Sequence, residues 1–439
     1  MFDKLIFLLP ALTMLAFIIT IAYRGNTVQS CLLFILSMLP LMDLKVTQEA
    51  WGGFKTFDAV CFYSLVFLFK DFTTISLPKK NNFYLILFFL LIIIMLIGGL
   101  ASEFPEKTYL NIIKAIPIFI FGRFFITESL KDPQFNSRAI KALKLSYLTC
   151  LAFLIVQVIV GLKFTFYPAL ATNTMDPVFK VIRYPGVFFD SQAHGQFLAM
   201  GCFLFLYIEE DASKRSRLIS YFVFVLAFVA ILLAGSRSSL GGLIVGMVVI
   251  FFLAAKQYRI YGTILVIIAI AVMTVITPKH GVFDRAENLS EDYLFRQSLW
   301  IEAFDISKKH PFLGIGSGNY KNYVMRHAQN QYLEIADGTL VYFDQPENGY
   351  LKIMVELGFI GFGIYALFVL VPLVKGFVFQ IKDIYDKRIT FFMASLVSFL
   401  VAFNTVFSIY DNRILIMVAS MAILIIVYPH KDYNNELAD

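Results

Sequence analysis

The chain has 439 residues, 59% of them hydrophobic and only 15% charged, with a mean hydropathy of +0.74. Soluble domains are about 45–50% apolar and about 25% charged, so an ordinary soluble globule is excluded and lipid is the natural solvent for the excess. The formal net charge of +6 does not argue for nucleic acid, because Lys and Arg sit mainly in short connections between apolar runs, where positive-inside topology puts them.

A spanning helix needs about 20 mostly apolar residues. The first run covers residues 5–22, and no small-residue cleavage site leads into it, so a retained first span is expected rather than a cleaved signal peptide. Two weaker stretches follow at 30–41 and 59–69, flanked by Pro40 and Asp43. Clearer runs lie at 83–100, 112–126, 143–160, 195–208, 218–234, 240–254 and 260–276, and the last three at 350–374, 391–407 and 414–427. The expectation is an all-α polytopic transmembrane bundle of about 12 or 13 spans. Cys31, Cys61, Cys150 and Cys202 fall in or beside these runs without metal-ligand spacing, and read as small buried hydrophobes.

Orientation follows from the basic turns. Lys131, Arg138, Lys141 and Lys144 mark one cytoplasmic connection, and Lys214, Arg215 and Arg217 a second. Lys256 with Arg259 marks a third, and Lys375, Lys382, Lys387 and Arg388 a fourth. Outside are then 163–194, 235–239, 278–346 and 408–413, with the tail carrying His430 and Lys431 cytoplasmic. The chain divides into an N-terminal bundle, 1–277, a large outer loop, 278–346, and C-terminal helices with a tail, 347–439.

That loop is far longer than a connection requires, and its composition turns polar. Phe295, Leu299, Trp300, Ala303 and Phe304 recur at helical spacing and predict a helix lying against the membrane face. Pro311, Gly314, Gly316 and Gly318 end it. The Gly314-Ile-Gly-Ser-Gly318 stretch lacks the strand–turn–helix setting of a dinucleotide site and reads as a tight turn. The chain shows no internal repeat and no low-complexity segment.

Several outer residues could carry chemistry. Arg237, in Gly-Ser-Arg-Ser-Ser, sits at the outer end of one apolar run and just before the next; an Arg at that depth is costly unless it is paired or faces water. It reads as functional or as a snorkelling interfacial residue. The small residues around it, Gly235 to Gly242, either admit a substrate to the backbone or pack helices, with Gly242 and Gly246 forming a small-xxx-small pair. Arg183 and His194 share the outer side, and Arg296 lies on the loop helix. Three outward arginines suit a diphosphate, because guanidinium forks grip phosphate oxygens bidentately. Glu347, in Glu-Asn-Gly-Tyr, is either a general base at the membrane boundary or an acidic complement to the first turn of the helix that follows. The five histidines show no metal-binding spacing. Asn288 matches a glycosylation acceptor pattern that means little outside a eukaryotic secretory context.

Taken in order, Ala234-Gly-Ser-Arg-Ser-Ser, the long outer loop, Arg296-Gln-Ser-Leu-Trp300, Pro311-Phe-Leu-Gly-Ile-Gly316, Glu347-Asn-Gly-Tyr-Leu351 and Glu356-Leu-Gly-Phe-Ile-Gly361 resemble the O-antigen ligase and Wzy-type polysaccharide polymerase superfamily. The resemblance covers about residues 183–361. It implies a fold similar to the GT-C glycosyltransferases and a metal-independent glycosyl transfer from undecaprenyl diphosphate, without cofactor. It implies that Arg237 and Arg296 hold the donor diphosphate, with Arg183, Asn348 and His194 as further substrate contacts. The base falls at the position before Asn348, where ligases typically carry His and this chain carries Glu347; Asp344 and His194 stand as alternatives. Glu in place of His favours a repeat-unit polymerase over a ligase acting on lipid A-core or protein. A lipid-linked glycan transporter is the rival from another class. The resemblance further implies the bacterial cytoplasmic membrane, lipid-linked donor and acceptor, and a chain-length regulator and a flippase as protein partners. No nucleic acid is expected.

Overall fold

The computed structural model describes residues 2–48, 52–74, 82–167, 169–171, 174, 182–208, 212–254, 260, 263–264, 267, 289–327, 332–334, 340–342, 345–382, 389–405 and 408–427. Most of the expected span at 260–276, the C-terminal tail, Asn288 and Asp344 lie outside the described residues. In chain order come α1 (Phe2–Arg24), α2 (Val28–Ser37), α3 (Thr56–Phe67), α4 (Phe69–Thr74), α5 (Asn82–Ala101), α6 (Pro105–Lys131) and α7 (Pro133–Val160). They are followed by α8 (Ser191–Gly201), α9 (Lys214–Ala234) and α10 (Arg237–Leu253). The large loop contributes α11 (Leu289–Lys309), α12 (Tyr320–His327) and a short antiparallel pair, β1 (Tyr332–Glu334) with β2 (Leu340–Tyr342). Helices α13 (Gly349–Ile381), α14 (Ile389–Phe403) and α15 (Asn412–Val427) complete the order.

Five of these helices, α5, α6, α7, α9 and α13, are long and apolar enough to cross a membrane, and six more are shorter apolar helices. The protein is an all-α polytopic bundle, as the hydropathy pattern predicts. Helix starts carry their own signals. Asp132 accepts from Gln134 N with Pro133 at the first helical position of α7, Asp190 accepts from Gln192 N on α8, and Ser213 accepts from Ser216 N on α9. Each supplies an acceptor for an otherwise orphaned N–H. The four cysteines are free and buried. Large apolar side chains such as Leu12, Ile93, Ile159, Phe222 and Phe252 face outward, as lipid-facing residues should.

The structure departs from the hydropathy reading where polar residues line the inside. Helix α6 runs well beyond 112–126 at both ends, and its Lys107, Lys114 and Arg123 face an internal cavity. The expected span at 195–208 is the short α8 followed by a 3-10 turn, Cys202–Phe205, and this segment is buried in the protein instead of facing lipid. The weak stretches near 30–41 and 59–69 become α2 and α3, both short.

Contacts sort the connections onto two faces. Gln29, in the first turn of α2, donates to Glu128 at the far end of α6 (3.1 Å), so the α1–α2 and α6–α7 turns share a face. Lys55 donates to the carbonyl of Tyr410 (2.7 Å), which puts the α2–α3 and α14–α15 connections together on the other face. The large loop joins this second face, since Asn319 donates to Ser102 Oγ (2.8 Å) beside the α5–α6 turn.

Helix α13 is broken at Gly358, whose φ is +68°. The break is stitched by the loop: Phe359 N donates to Pro311 O (2.7 Å), Ile315 N to Val355 O (2.9 Å) and Gly316 N to Glu356 O (3.0 Å). Non-helical backbone at this depth needs its polar groups satisfied by protein, and the loop supplies them. A side chain at Gly358 would meet the Phe312 backbone at 2.3 Å.

Beneath the loop face, Arg413 is fully buried. Its Nε and Nη2 donate to Asp411 (2.9 and 2.5 Å), Nη2 also to Tyr167 Oη (2.9 Å), and Nη1 to the Val187 carbonyl, while the Phe188 ring lies 4.0 Å from Cζ. Asp43 binds Asn412 N (2.7 Å) and Lys55 Nζ (2.6 Å), joining the α2–α3 connection to the same network. Removing one partner of a buried ion pair strands the other charge and costs about 3–5 kcal/mol. Arg413→Met is therefore expected to lower the unfolding temperature in detergent sharply, whereas Arg138→Met, which breaks an exposed pair with Asp132, should leave it nearly unchanged.

Candidate functional site

Two of the expected arginines meet at one turn. Gly235 ends α9 in the left-handed conformation (φ +66°), which glycine adopts without a steric penalty. Arg183 lies across it: a side chain at Gly235 would strike Arg183 Cγ at 2.9 Å, and Tyr184 N donates to Leu233 O (3.1 Å). Arg237 is the first residue of α10, two positions on. Arg183 is buried. A helix N-terminus flanked by two guanidinium groups is an anion-binding arrangement, because free N–H groups and the helix dipole add to the charges.

The two readings of the small residues divide by position. Gly242 packs on the Ser398 carbonyl and Gly246 on the Ala394 carbonyl and the Phe203 ring, so both bring helices together. Among the described residues nothing lies within 4 Å of a side chain added at Gly241. These contacts also fix a register. α10 and α14 are antiparallel with Gly242 beside Ser398 and Gly246 beside Ala394, so one turn further brings the start of α10 level with Ala402 and Phe403.

Glu347 reaches the same place from the other side. Gly349 packs against the Phe403 ring, where an added side chain would clash at 2.4 Å, and Asn348 Nδ2 donates to Asn404 Oδ1 (3.0 Å). Asn348 Oδ1 also accepts from Leu351 N (3.1 Å) and caps α13. Asn348, not Glu347, thus serves the first turn of that helix. Glu347 is half-buried and is the one non-glycine residue at positive φ (+47°) among the described residues, a conformation that costs energy and marks functional sites more often than others. The end of α14 therefore has Arg237 on one flank and Glu347–Asn348 on the other.

Arg296 is half-buried on α11, the helix predicted for the loop. Leu299, Ala303 and Ile306 are buried, and α11 packs through Ala303 and Ile306 against Val355 and Leu351 of α13. Phe304 faces outward instead. Arg296 stands two turns toward the N-terminus from Ala303, on the helix that covers the start of α13.

His194 is fully buried. Its ring stacks on Phe188, its Nδ1 lies 3.0 Å from the Tyr184 carbonyl, and Gly186 presses on its far edge. It belongs to the wall behind Arg183 rather than to an open surface. Among the described residues, no group of three His, Cys, Asp or Glu side chains is placed to hold a metal ion.

Glu356, quoted in a motif but given no role, is the centre of the glycine turn. Its carboxylate accepts from Gly318 N (2.9 Å), Tyr320 N (3.4 Å) and Tyr410 Oη (2.7 Å). The Gly314–Gly318 stretch, whose glycines all have positive φ, is thus a cradle for a carboxylate of its own chain. Asn404 was equally unsignalled, a polar residue at the end of an apolar run.

The far edge of the loop is clasped to the α5–α6 turn. His327 Nε2 lies 2.9 Å from Glu103 Oε1, and Arg326 Nη1 3.2 Å from Oε2. The His327 hydrogen bond, helped by nearby positive charge, holds the Glu103 carboxyl below its ordinary value of 4.5. A carboxylate with a depressed folded pKa adds stability above the unfolded value and loses it as pH falls through the folded one. Hydrogen exchange in α12 should accordingly rise modestly as pH falls below about 4.5, and Glu103→Gln should raise it by a similarly small factor at neutral pH, because both sides of the clasp are exposed.

Residues 222–366 match the family described as O-antigen ligase. That segment includes Arg237, Arg296, Glu347 and the Glu356 cradle, and begins after Arg183. No curated protein matches the chain.

Proposed function

With residues 222–366 the chain belongs to the O-antigen ligase and Wzy-type polymerase superfamily, and from that premise we propose that it joins lipid-linked oligosaccharide repeats into a surface polysaccharide. The loop face is then the periplasmic face of a bacterial cytoplasmic membrane. The observation that carries the reading is the grouping of Arg183 and Arg237 at the Gly235 turn with Glu347 across the end of α14.

In this reading Arg183 and Arg237, with Arg296 closing from α11, hold the diphosphate of an undecaprenyl-linked donor. Glu347 takes the proton of a hydroxyl on the incoming repeat, whose oxygen attacks the donor's anomeric carbon. The bond from that carbon to the diphosphate oxygen breaks, and the leaving diphosphate keeps the electron pair, stabilised by the guanidinium groups. One base and one displacement invert the anomeric centre; retained configuration in the product would refute this.

The polymerase reading favours itself over the ligase through Glu347, since similar ligases typically carry His at that position. Purified protein incubated with undecaprenyl-diphosphate repeat units should give a ladder of lengthening products. Transfer to lipid A-core without a ladder would instead establish the ligase, and movement of repeats across a vesicle with no elongation would establish the transporter.

A further inference from the structure

A cavity of about 680 Å³ lies between α5, α6, α13 and α15, and neither arginine of the Gly235 turn, nor Arg296, nor Glu347 lines it. One continuous stripe of α6 forms its wall: Lys107, Asn111, Lys114, Ile118, Gly122 and Ile126 recur at helical spacing. At 1.5 Å per residue this stripe is about 28 Å long, close to the about 30 Å hydrocarbon thickness of a bilayer. Along most of that length the lining is apolar, with Phe88, Phe119, Phe368 and Ile423 among its walls.

Most polar groups collect at the loop-face end, while Arg123 lines the cavity toward the other end. Lys45, Lys55, Lys107 and Lys114 line the cavity there against the carboxylates of Asp58 and Glu356. Both carboxylates are already engaged within the chain: Asp58 accepts from Lys55 N (2.8 Å), and Glu356 from Gly318 N and Tyr410 Oη. Lys107 donates to the neutral Asn322 side chain (2.8 Å), so its charge is not offset by that bond. With Lys55 paired to Asp43 (2.6 Å), Lys45, Lys107 and Lys114 face Asp58 and Glu356 at the mouth, an excess of one positive charge, and the body is a long, largely apolar slot. This shape fits one extended chain carrying an anionic head better than a two-chain glycerolipid.

We propose that this cavity seats a second polyprenyl diphosphate, the anchor of the acceptor repeat, apart from the donor held at the Gly235 turn. The assignment rests on the proposed polymerase reaction for its role, and on the cavity alone for its ligand. Helix α13 links the two sites. Ile353 and Glu356 line the cavity, while Gly349, one turn before Ile353, packs on Phe403 beside Asn348 and Glu347. An acceptor whose head leaves the cavity mouth thus emerges on the Glu347 side of α14, facing a donor on the Arg237 side. A polymerase needs two lipid-linked substrates at once, and two separate slots keep their identical anchors from competing.

The test is native mass spectrometry of the purified full chain with undecaprenyl diphosphate, and with phosphatidylglycerol as the second arm. The wild type should hold two undecaprenyl diphosphates. Ala115→Trp and Ala419→Trp, which fill the slot from α6 and α15, should hold one, and Arg237→Ala should lose the other. Lys107→Glu with Lys114→Glu, at the mouth rather than in the packed body, should weaken the cavity lipid at least tenfold and serves where the filled variants fold poorly. A single lipid on the wild type, two lipids on both filled variants, an unweakened mouth variant, or equal displacement by phosphatidylglycerol would each overturn the assignment. Two specific lipids on a protein that forms no ladder would uphold the site and refute the proposed reaction instead.

Discussion

Arg237→Ala should abolish the polymer ladder, with a loss of about 10²–10³ or more in rate, and should do so without lowering the unfolding temperature. In the proposed reaction the rate loss follows from removing a preorganised cation from the point where negative charge develops on the leaving diphosphate. The second half of the prediction follows from where Arg237 sits. It occupies the first position of α10, next to the positive end of the helix dipole, where a cation costs about 0.3–1 kcal/mol. The turn also has supports of its own, since Gly235 supplies the left-handed residue and Ser236 Oγ pairs with Ser239 Oγ at 2.6 Å. Alanine should therefore leave the turn folded and the unfolding temperature close to that of the wild type. Arg237→Lys restores the charge but not the bidentate fork, and should recover only part of the rate. An Arg237→Ala protein that melts earlier and still makes polymer would place the residue among the structural arginines, with Arg413.

Helices and loop were legible in the sequence because lipid exposes long apolar runs that no soluble core could absorb. What the pattern misread were segments whose environment is protein. Helix α6 carries Lys107, Lys114 and Arg123 within one helix because its stripe faces a cavity, and hydropathy averaged along the chain cannot tell a lipid face from a cavity face. Segment 195–208 looked like a span, yet α8 and its 3-10 extension are enclosed on all sides. Arg413 gave no signal at all: at the end of a short outer connection it resembles any interfacial cation, and only the arrival of Asp411, Asp43, Tyr167 and Phe188 from distant parts of the chain shows that it is a buried keystone. The candidate site is a set of residue types in the sequence and becomes a place only in the fold. Arg183 meets Arg237 because Gly235 turns left-handed beneath it, and Glu347 meets α14 through Asn348 and Gly349; those are facts of packing. The same holds for the glycine turn, whose motif was plain while its anion, Glu356, was hidden in the next motif.

Glu347 offers a sharper separation of chemistry from structure than any arginine does. Its positive φ (+47°) costs about 1–3 kcal/mol for a residue with a β-carbon, and the first turn of α13 is capped by Asn348 rather than by Glu347. In the proposed reaction that strain holds the carboxylate where the acceptor hydroxyl arrives. Two substitutions then pull in different directions. Glu347→Gln keeps the shape and the strain but cannot take a proton, so the ladder should fall by about 10²–10⁴ while the unfolding temperature stays put. Glu347→Gly removes the carboxylate and the strain together, so the ladder should vanish while the protein becomes more stable. Loss of polymer with a gain in stability is a result that a purely structural glutamate cannot give. A full ladder from Glu347→Gln would move the base elsewhere, and the fully enclosed ring of His194, stacked on Phe188 and covered by Gly186, would be a poor place to look for it.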